Sequence, residues 1–141
     1  MARIRIPLPE HFPFRTELTV RITDINYGKH LGNDSLLSLV HEGRARFFRH
    51  HGFSEMNLGG AGIVIADAAV VYRAEAFFGD RLAIEIGGQD FHRAGGDLVY
   101  RVSNGEDGRE VAIAKTGVVF FDYDARKVRP APPEFRALFG D

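Results

Sequence analysis

Leu18, Val20 and Ile22 alternate with Glu17, Thr19, Arg21 and Thr23, the period of a strand with one buried face. A polar junction follows, running from Asp24 to Asp34 through Asn26, Gly28, His30 and Gly32. The pattern then changes period. Leu36, Leu39, Val40, Gly43 and Phe47 form the apolar stripe of a helix running to about Gly52, with Asn33 or Asp34 placed to cap it. The segment Gly59-Gly60-Ala61-Gly62 turns the chain back into extended structure.

From there strands succeed one another. Ile63 to Glu75 is long and β-branched, and Phe78-Gly79-Asp80 reads as a turn. Leu82, Ile84 and Ile86 alternate again, with Gly87-Gly88 predicting a bulge or bend. Leu98, Tyr100 and Val102 alternate before Asn104-Gly105-Glu106-Asp107-Gly108, a hairpin signal, and a last strand covers Glu110 to about Asp122. Proline at 132 and 133 opens a short closing helix through Phe139. One helix cannot cover both faces of a five-stranded sheet. The sheet is therefore expected to curl around it, and its remaining face and edges to require a second copy.

Composition narrows the classes. At 141 residues the chain fits one domain, 1–141, with a single core. A net charge of −1 with mixed signs does not suggest a nucleic-acid-binding face. The absence of cysteine excludes thiol catalysis and thiolate metal sites. No segment approaches the ~20 apolar residues that cross a bilayer, and the first residues do not read as a secretion signal. The expectation is a soluble, cytoplasmic protein that contacts neither nucleic acid nor membrane.

The chemistry points to the junction, where a helix begins and its first N–H groups lack partners. Such a tip attracts an anion, or a carbonyl oxygen that must accept negative charge. The six histidines show no metal-ligand spacing, His50-His51 points to different helix faces, and no Gly-x-Ser-x-Gly elbow or phosphate-binding loop is present.

Along nearly its whole length the chain resembles hotdog-fold acyl-CoA thioesterases of the 4-hydroxybenzoyl-CoA thioesterase-like branch. Their Asp-x-Asp-x-x-Gly-His-x-Asn-Asn pattern is matched by Asp24, Asn26, His30 and Asn33. Their helix glutamates fall at His41 and Glu42, their Ala-Arg at Gly43-Arg44, and their aromatic-Gly-Asp turn at Phe78-Gly79-Asp80. Val119-Phe120-Phe121-Asp122 is similar to their last strand. The resemblance implies an α+β hotdog fold: a five-stranded antiparallel sheet wrapped around one long central helix, with a short C-terminal helix. It implies an acyl-CoA or acyl-carrier substrate, no cofactor, and a homodimer or dimer of dimers. The branch's usual catalytic aspartate is here Asn26, an amide that cannot act as nucleophile or general base.

The catalytic candidates are accordingly Asn26, His30, Glu42, His41 and Asp34, with Tyr27, Gly32, Asn33 and Arg93 expected to meet substrate. Further phosphate partners are Arg73, Arg101, Lys115, Arg126 and Lys127. Glu42 lies nine residues from Asn33, about 13 Å at ~1.5 Å rise per residue, so a shared substrate requires Glu42 from the opposite subunit. Duller roles stand beside these: Asn33 and Asp34 as helix caps, Glu42 as an ion pair with Arg46. Two other functions fit the same residues. Asn26 suits an acyl-CoA binding protein without turnover, and His30 with Glu42 suits a 3-hydroxyacyl-thioester dehydratase.

Overall fold

The computed structural model describes residues 3–140. The elements in chain order are β1 (Phe14–Thr19), α1 (Asn33–His50), β2 (Gly62–Tyr72), β3 (Arg81–His92), β4 (Gly95–Asn104), β5 (Glu110–Asp122), β6 (Lys127–Val128) and α2 (Pro133–Ala137). A single 3-10 turn, Ile22–Asp24, follows β1. The strands form one sheet in the order β1-β3-β4-β5-β2, with antiparallel neighbours and the short β6 paired to β5. The curled sheet grips α1, as the patterning predicts.

Alternation fixes which side chains reach the helix. Ile84 and Ile86, Leu98, Tyr100 and Val102, and Ala112, Ala114, Val118 and Phe120 are fully buried on the concave face. Gly43 lets α1 settle onto β3, since a Cβ there would stand 3.2 Å from Ile84 Cγ2. At the far end of the helix, Phe139 packs against Phe47, Phe91 and Phe135, and Phe135 against Phe91 and Phe120, with ring centroids 5.0–5.8 Å apart. This aromatic plug, carried partly by α2, closes that end of the core.

Several sequence expectations are corrected. Ile22 is 64% exposed, because β1 stops at Thr19 and Asp24 turns the chain by accepting the Arg21 N–H at 2.8 Å. The β2 strand ends at Tyr72 rather than Glu75, since the N–H groups of Arg73 and Ala74 both turn to the Val111 carbonyl. Helix α1 stops at His50, with Gly52 beyond it at φ +80°. Gly87 and Gly88 make no bulge; the β3–β4 register is continuous through both, and its irregularity falls between Gln89 and His92. Their purpose is close approach: a Cβ on Gly87 would meet Pro9 Cγ at 2.7 Å, and one on Gly88 the Phe139 ring at 2.9 Å. Gly88→Ala must therefore displace Phe139 from the plug. The expected loss is about 1–3 kcal/mol, the usual cost of overpacking, read as a lower urea midpoint with an unchanged slope.

The N-terminal segment covers part of the convex face. Gln89 donates to the Pro7 carbonyl at 2.6 Å, and the Arg101 guanidinium lies 4.4 Å from the Phe12 ring centroid. That face thus needs less from a second copy than patterning suggests. The two sheet edges differ. β1 carries the Arg15–Glu17 pair and is crossed by Arg46, which donates to Thr16 Oγ1 and the Glu17 carbonyl. β2 is eleven residues long, with apolar Ile65, Ala66 and Ala68 exposed along its middle.

Beneath α1 runs a buried polar chain. Arg44 donates to Tyr100 Oη at 3.2 Å, Tyr100 bonds Thr116 Oγ1 at 2.7 Å, and Arg44 Nε reaches Glu55 at 3.3 Å. Glu55 also holds His41 Nε2 at 3.0 Å.

Candidate active site

The junction is built around its own hydrogen bonds. Asn26 Oδ1 accepts the Gly28 N–H at 2.8 Å, while the Asn26 N–H donates to the His30 carbonyl and its carbonyl accepts from Lys29. The resulting tight loop holds Lys29 at φ 67°. It is anchored on both sides, by Leu31 N–H to the Ala76 carbonyl at 2.8 Å and Gly32 N–H to the Asp24 carbonyl at 2.9 Å.

Asp24, the first aspartate of the motif, is a structural group. Burial alone would push its carboxyl up, but bonds from the Arg21 guanidinium and N–H outweigh this and hold it below the usual carboxylate range. A depressed carboxylate contributes stability that is fully present above its unfolded pKa, about 3.9, and lost as pH falls through the lower folded value. Asp24→Asn should therefore lower the urea midpoint at pH 7, and the gap from wild type should narrow below about pH 4.

Helix α1 is capped by Gly32, not by Asn33 or Asp34. Gly32 has extended backbone, its carbonyl accepts the Leu36 N–H at 3.1 Å, and no side chain caps the helix. Asn33 is already the first helical residue. The N–H groups of Asn33, Asp34 and Ser35 thus find no acceptor in the turn before them.

Around this tip gather three of the predicted side chains. The position a Cβ on Gly28 would occupy lies 3.2 Å from His30 Nε2 and 3.3 Å from Asn26 Oδ1. The corresponding position on Gly32 lies 2.9 Å from Asp34 Oδ1 and 3.6 Å from Asn26 Cβ. Gly28 thus leaves room beside His30 and Asn26, and Gly32 beside Asp34 and Asn26. His30 Nδ1 sits 3.3 Å from the Leu31 carbonyl, which can only accept. This contact favours the tautomer with hydrogen on Nδ1 and a lone pair on Nε2.

Beside the tip opens a cavity of about 520 Å³. Leu31, Leu36, Ala76, Phe77 and Val111 give it apolar walls; His30, Asn33, Tyr72, Arg73 and Arg109 supply polar groups. Tyr72 and Arg109 were not singled out in the sequence. Tyr72 was not detectable by parity, since a register shift between Ile65 and Asp67 reverses the alternation before it pairs with Ala112. Arg109 had no signal beyond its place after a hairpin.

Other candidates lie elsewhere in the protomer. Glu42 is on the flank of α1 facing β1, bonded to Arg46 at 2.9 Å, in a separate depression with Glu17 and Arg21. His41 is held by Glu55. Tyr27 is fully exposed and outside the cavity lining. Arg93 sits in the β3–β4 turn, at the end of the sheet opposite the helix tip, its carbonyl accepting the Ala131 N–H. Arg101 and Lys115 are paired with Glu85 and Asp67, while Arg73, at the cavity, is paired with Glu110. His50 and His51 pack on Phe14 and Phe47. Among the described residues no group of three or more His, Asp or Glu is placed to hold a metal, and no helix is long and apolar enough to cross a membrane.

A helix enclosed by a curled antiparallel sheet, with its uncapped tip at a cavity, defines the hotdog architecture. The family model described as the thioesterase-like superfamily matches residues 20–139, and the chain belongs to that family. This membership assigns it to the thioester hydrolases. No curated protein sequence matches it. Among solved structures it is similar to a 1,4-dihydroxy-2-naphthoyl-CoA thioesterase from Synechocystis, with TM-score 0.82 and 22% identity over 91% of this chain and 96% of that one. A gentisyl-coenzyme A thioesterase superposes with TM-score 0.78 and 19% identity, covering 90% of this chain and 100% of that one. A DHNA-CoA thioesterase from Staphylococcus aureus gives 0.74 and 18%, over 82% and 78%.

Proposed function

We propose that the protein hydrolyses the thioester of an acyl-CoA with an apolar acyl group, aliphatic or aromatic, releasing free acid and CoA. The observation that carries this reading is the meeting of the uncapped α1 tip with an apolar-walled cavity. The thioester oxygen lies against the N–H groups of Asn33, Asp34 and Ser35, where the helix dipole favours the negative charge that develops as water adds. His30 Nε2 takes the proton from that water. Asn26, its oxygen held by Gly28, presents its NH2 group as a donor to the same centre. The tetrahedral adduct then collapses, the C–S bond breaks, and the thiolate leaves with the electron pair. The relatives named for 1,4-dihydroxy-2-naphthoyl-CoA, gentisyl-coenzyme A and DHNA-CoA support the aromatic choice. Arg73 and Arg109 at the cavity suit the phosphates of the carrier.

The active form in this reading is a homodimer formed along β2, a long edge strand on which Asp67, paired with Lys115, is the one charged residue and which, among the described residues, no side chain of α1 crosses as Arg46 crosses β1. Glu42 lies on the β1 flank of α1, bonded to Arg46 and on the side away from that seam, so this reading gives the base role to His30 and not to Glu42.

The test is a panel of acyl-CoAs assayed with a thiol-trapping dye. Release of free CoA from apolar acyl chains is expected. Tight binding without release would instead favour a binding protein, the reading that the amide at Asn26 supports. An enoyl product without free thiol would point to a dehydratase.

A further inference from the structure

The edge strand and the helix tip are joined by one side chain. Tyr72, the last residue of β2, faces the concave side and donates its hydroxyl to the Asn33 carbonyl at 3.0 Å. Among the described residues this is the one side-chain hydrogen bond linking the sheet to the first turn of α1. The residue therefore touches both features on which the thioesterase reading rests, the tip and the cavity wall.

The tip needs such a tie. Its cap is a glycine, with no side chain to fix the entry of the chain into the helix. The loop before it turns through Lys29 at positive φ. The backbone anchors at Leu31 and Gly32 hold the approach to the helix, not its first turn. Tyr72 supplies the missing restraint from 39 residues away, and its neighbour in register, Ala112, leaves room for the ring to lie toward the helix. Burial, with Asp34 nearby, pushes the phenol up, so the hydroxyl stays a donor at neutral pH.

We propose that Tyr72 is a positioning residue: its hydroxyl pins the first turn of α1 to the sheet edge, so that the N–H groups of Asn33, Asp34 and Ser35 meet the thioester oxygen in one place. This rests on the thioesterase reading above. Hydrogen-bond donors aimed at a developing charge act only when held in register, and a misplacement of about 1 Å costs up to ~100-fold in rate.

Tyr72→Phe keeps the ring and so the cavity wall, removing only the hydroxyl. The expected result is a kcat about tenfold lower, KM within about twofold of wild type, and an unchanged melting temperature. A merely structural role would lower the melting temperature and leave kcat alone. Tyr72→Leu, which also removes the ring, should raise KM in addition. Amide hydrogen exchange of Leu36 and Leu37 provides an arm independent of activity, and should quicken in Tyr72→Phe. A kcat within twofold of wild type, or unchanged exchange in the first turn, overturns the proposal. A wild-type protein that releases no thiol sinks the thioesterase reading instead; the exchange arm then still decides whether Tyr72 holds the tip.

Discussion

His30→Ala is expected to lower kcat about 10²- to 10³-fold, with little change in melting temperature. The magnitude follows from removing a general base, typically worth ~10²–10⁴ in rate, at a site that keeps its helix-tip donors and cavity. The unchanged stability follows from geometry. The bonds that close the loop use the His30 backbone carbonyl, not its ring, and the ring's hydrogen bond is to the adjacent Leu31 carbonyl at 3.3 Å. His30→Gln tests the tautomer argument, since an amide keeps a donor for Leu31 but offers no basic nitrogen. It should be as slow as the alanine variant. A rate for His30→Ala within about threefold of wild type would transfer the base role to Asp34, the other titratable group beside the paired glycines.

The second large effect concerns Arg44. Burial would lower its pKa, but Tyr100 and Glu55 more than compensate, so the guanidinium remains charged beneath the helix. Arg44→Met removes the central member of the chain Glu55–Arg44–Tyr100–Thr116. Breaking a buried ion pair from one side costs about 3–5 kcal/mol. The lower end applies here, because Glu55 keeps His41 and Tyr100 keeps Thr116. A loss of about 3 kcal/mol corresponds to a melting temperature roughly 10 °C lower. Differential scanning calorimetry of the two proteins at equal concentration measures it. A change below about 1 kcal/mol would mean that methionine packing replaces the network without loss.

The fold was legible because the chain changes period cleanly. Two-residue alternation in β3, β4 and β5 and a three-to-four stripe in α1 leave few other arrangements. What escaped is what periodicity does not encode. Gly87 and Gly88 resemble a bulge in sequence, yet they admit Pro9 and Phe139, partners more than 50 residues away. Ile22 continues the alternation on paper, but an aspartate three residues on from Arg21 redirects the backbone.

The site was legible as a place more than as a list. From the loop between Asn26 and Gly32, His30 and Leu31 line the cavity, while Asn26 stands next to both glycines and Asp34 next to Gly32, outside the lining. Asn33 and Asp34 look like caps because their side chains are good acceptors, but the backbone enters the helix one residue earlier. Adjacent residues on a helix point about 100° apart. His41 and Glu42 accordingly fall on different flanks, one bonded to Glu55 and the other to Arg46. Tyr72 stayed hidden because its partner is a backbone carbonyl, which carries no sequence signal.

The central claim is that the start of α1 receives the thioester oxygen. Backbone amide shifts recorded while a non-hydrolysable acyl-CoA thioether ketone is titrated in test it most directly. The account predicts the largest downfield proton shifts at Asn33, Asp34 and Ser35, saturating together with His30. Saturable shifts confined to the depression around Glu42 and Arg21, with those three amides unmoved, would contradict it.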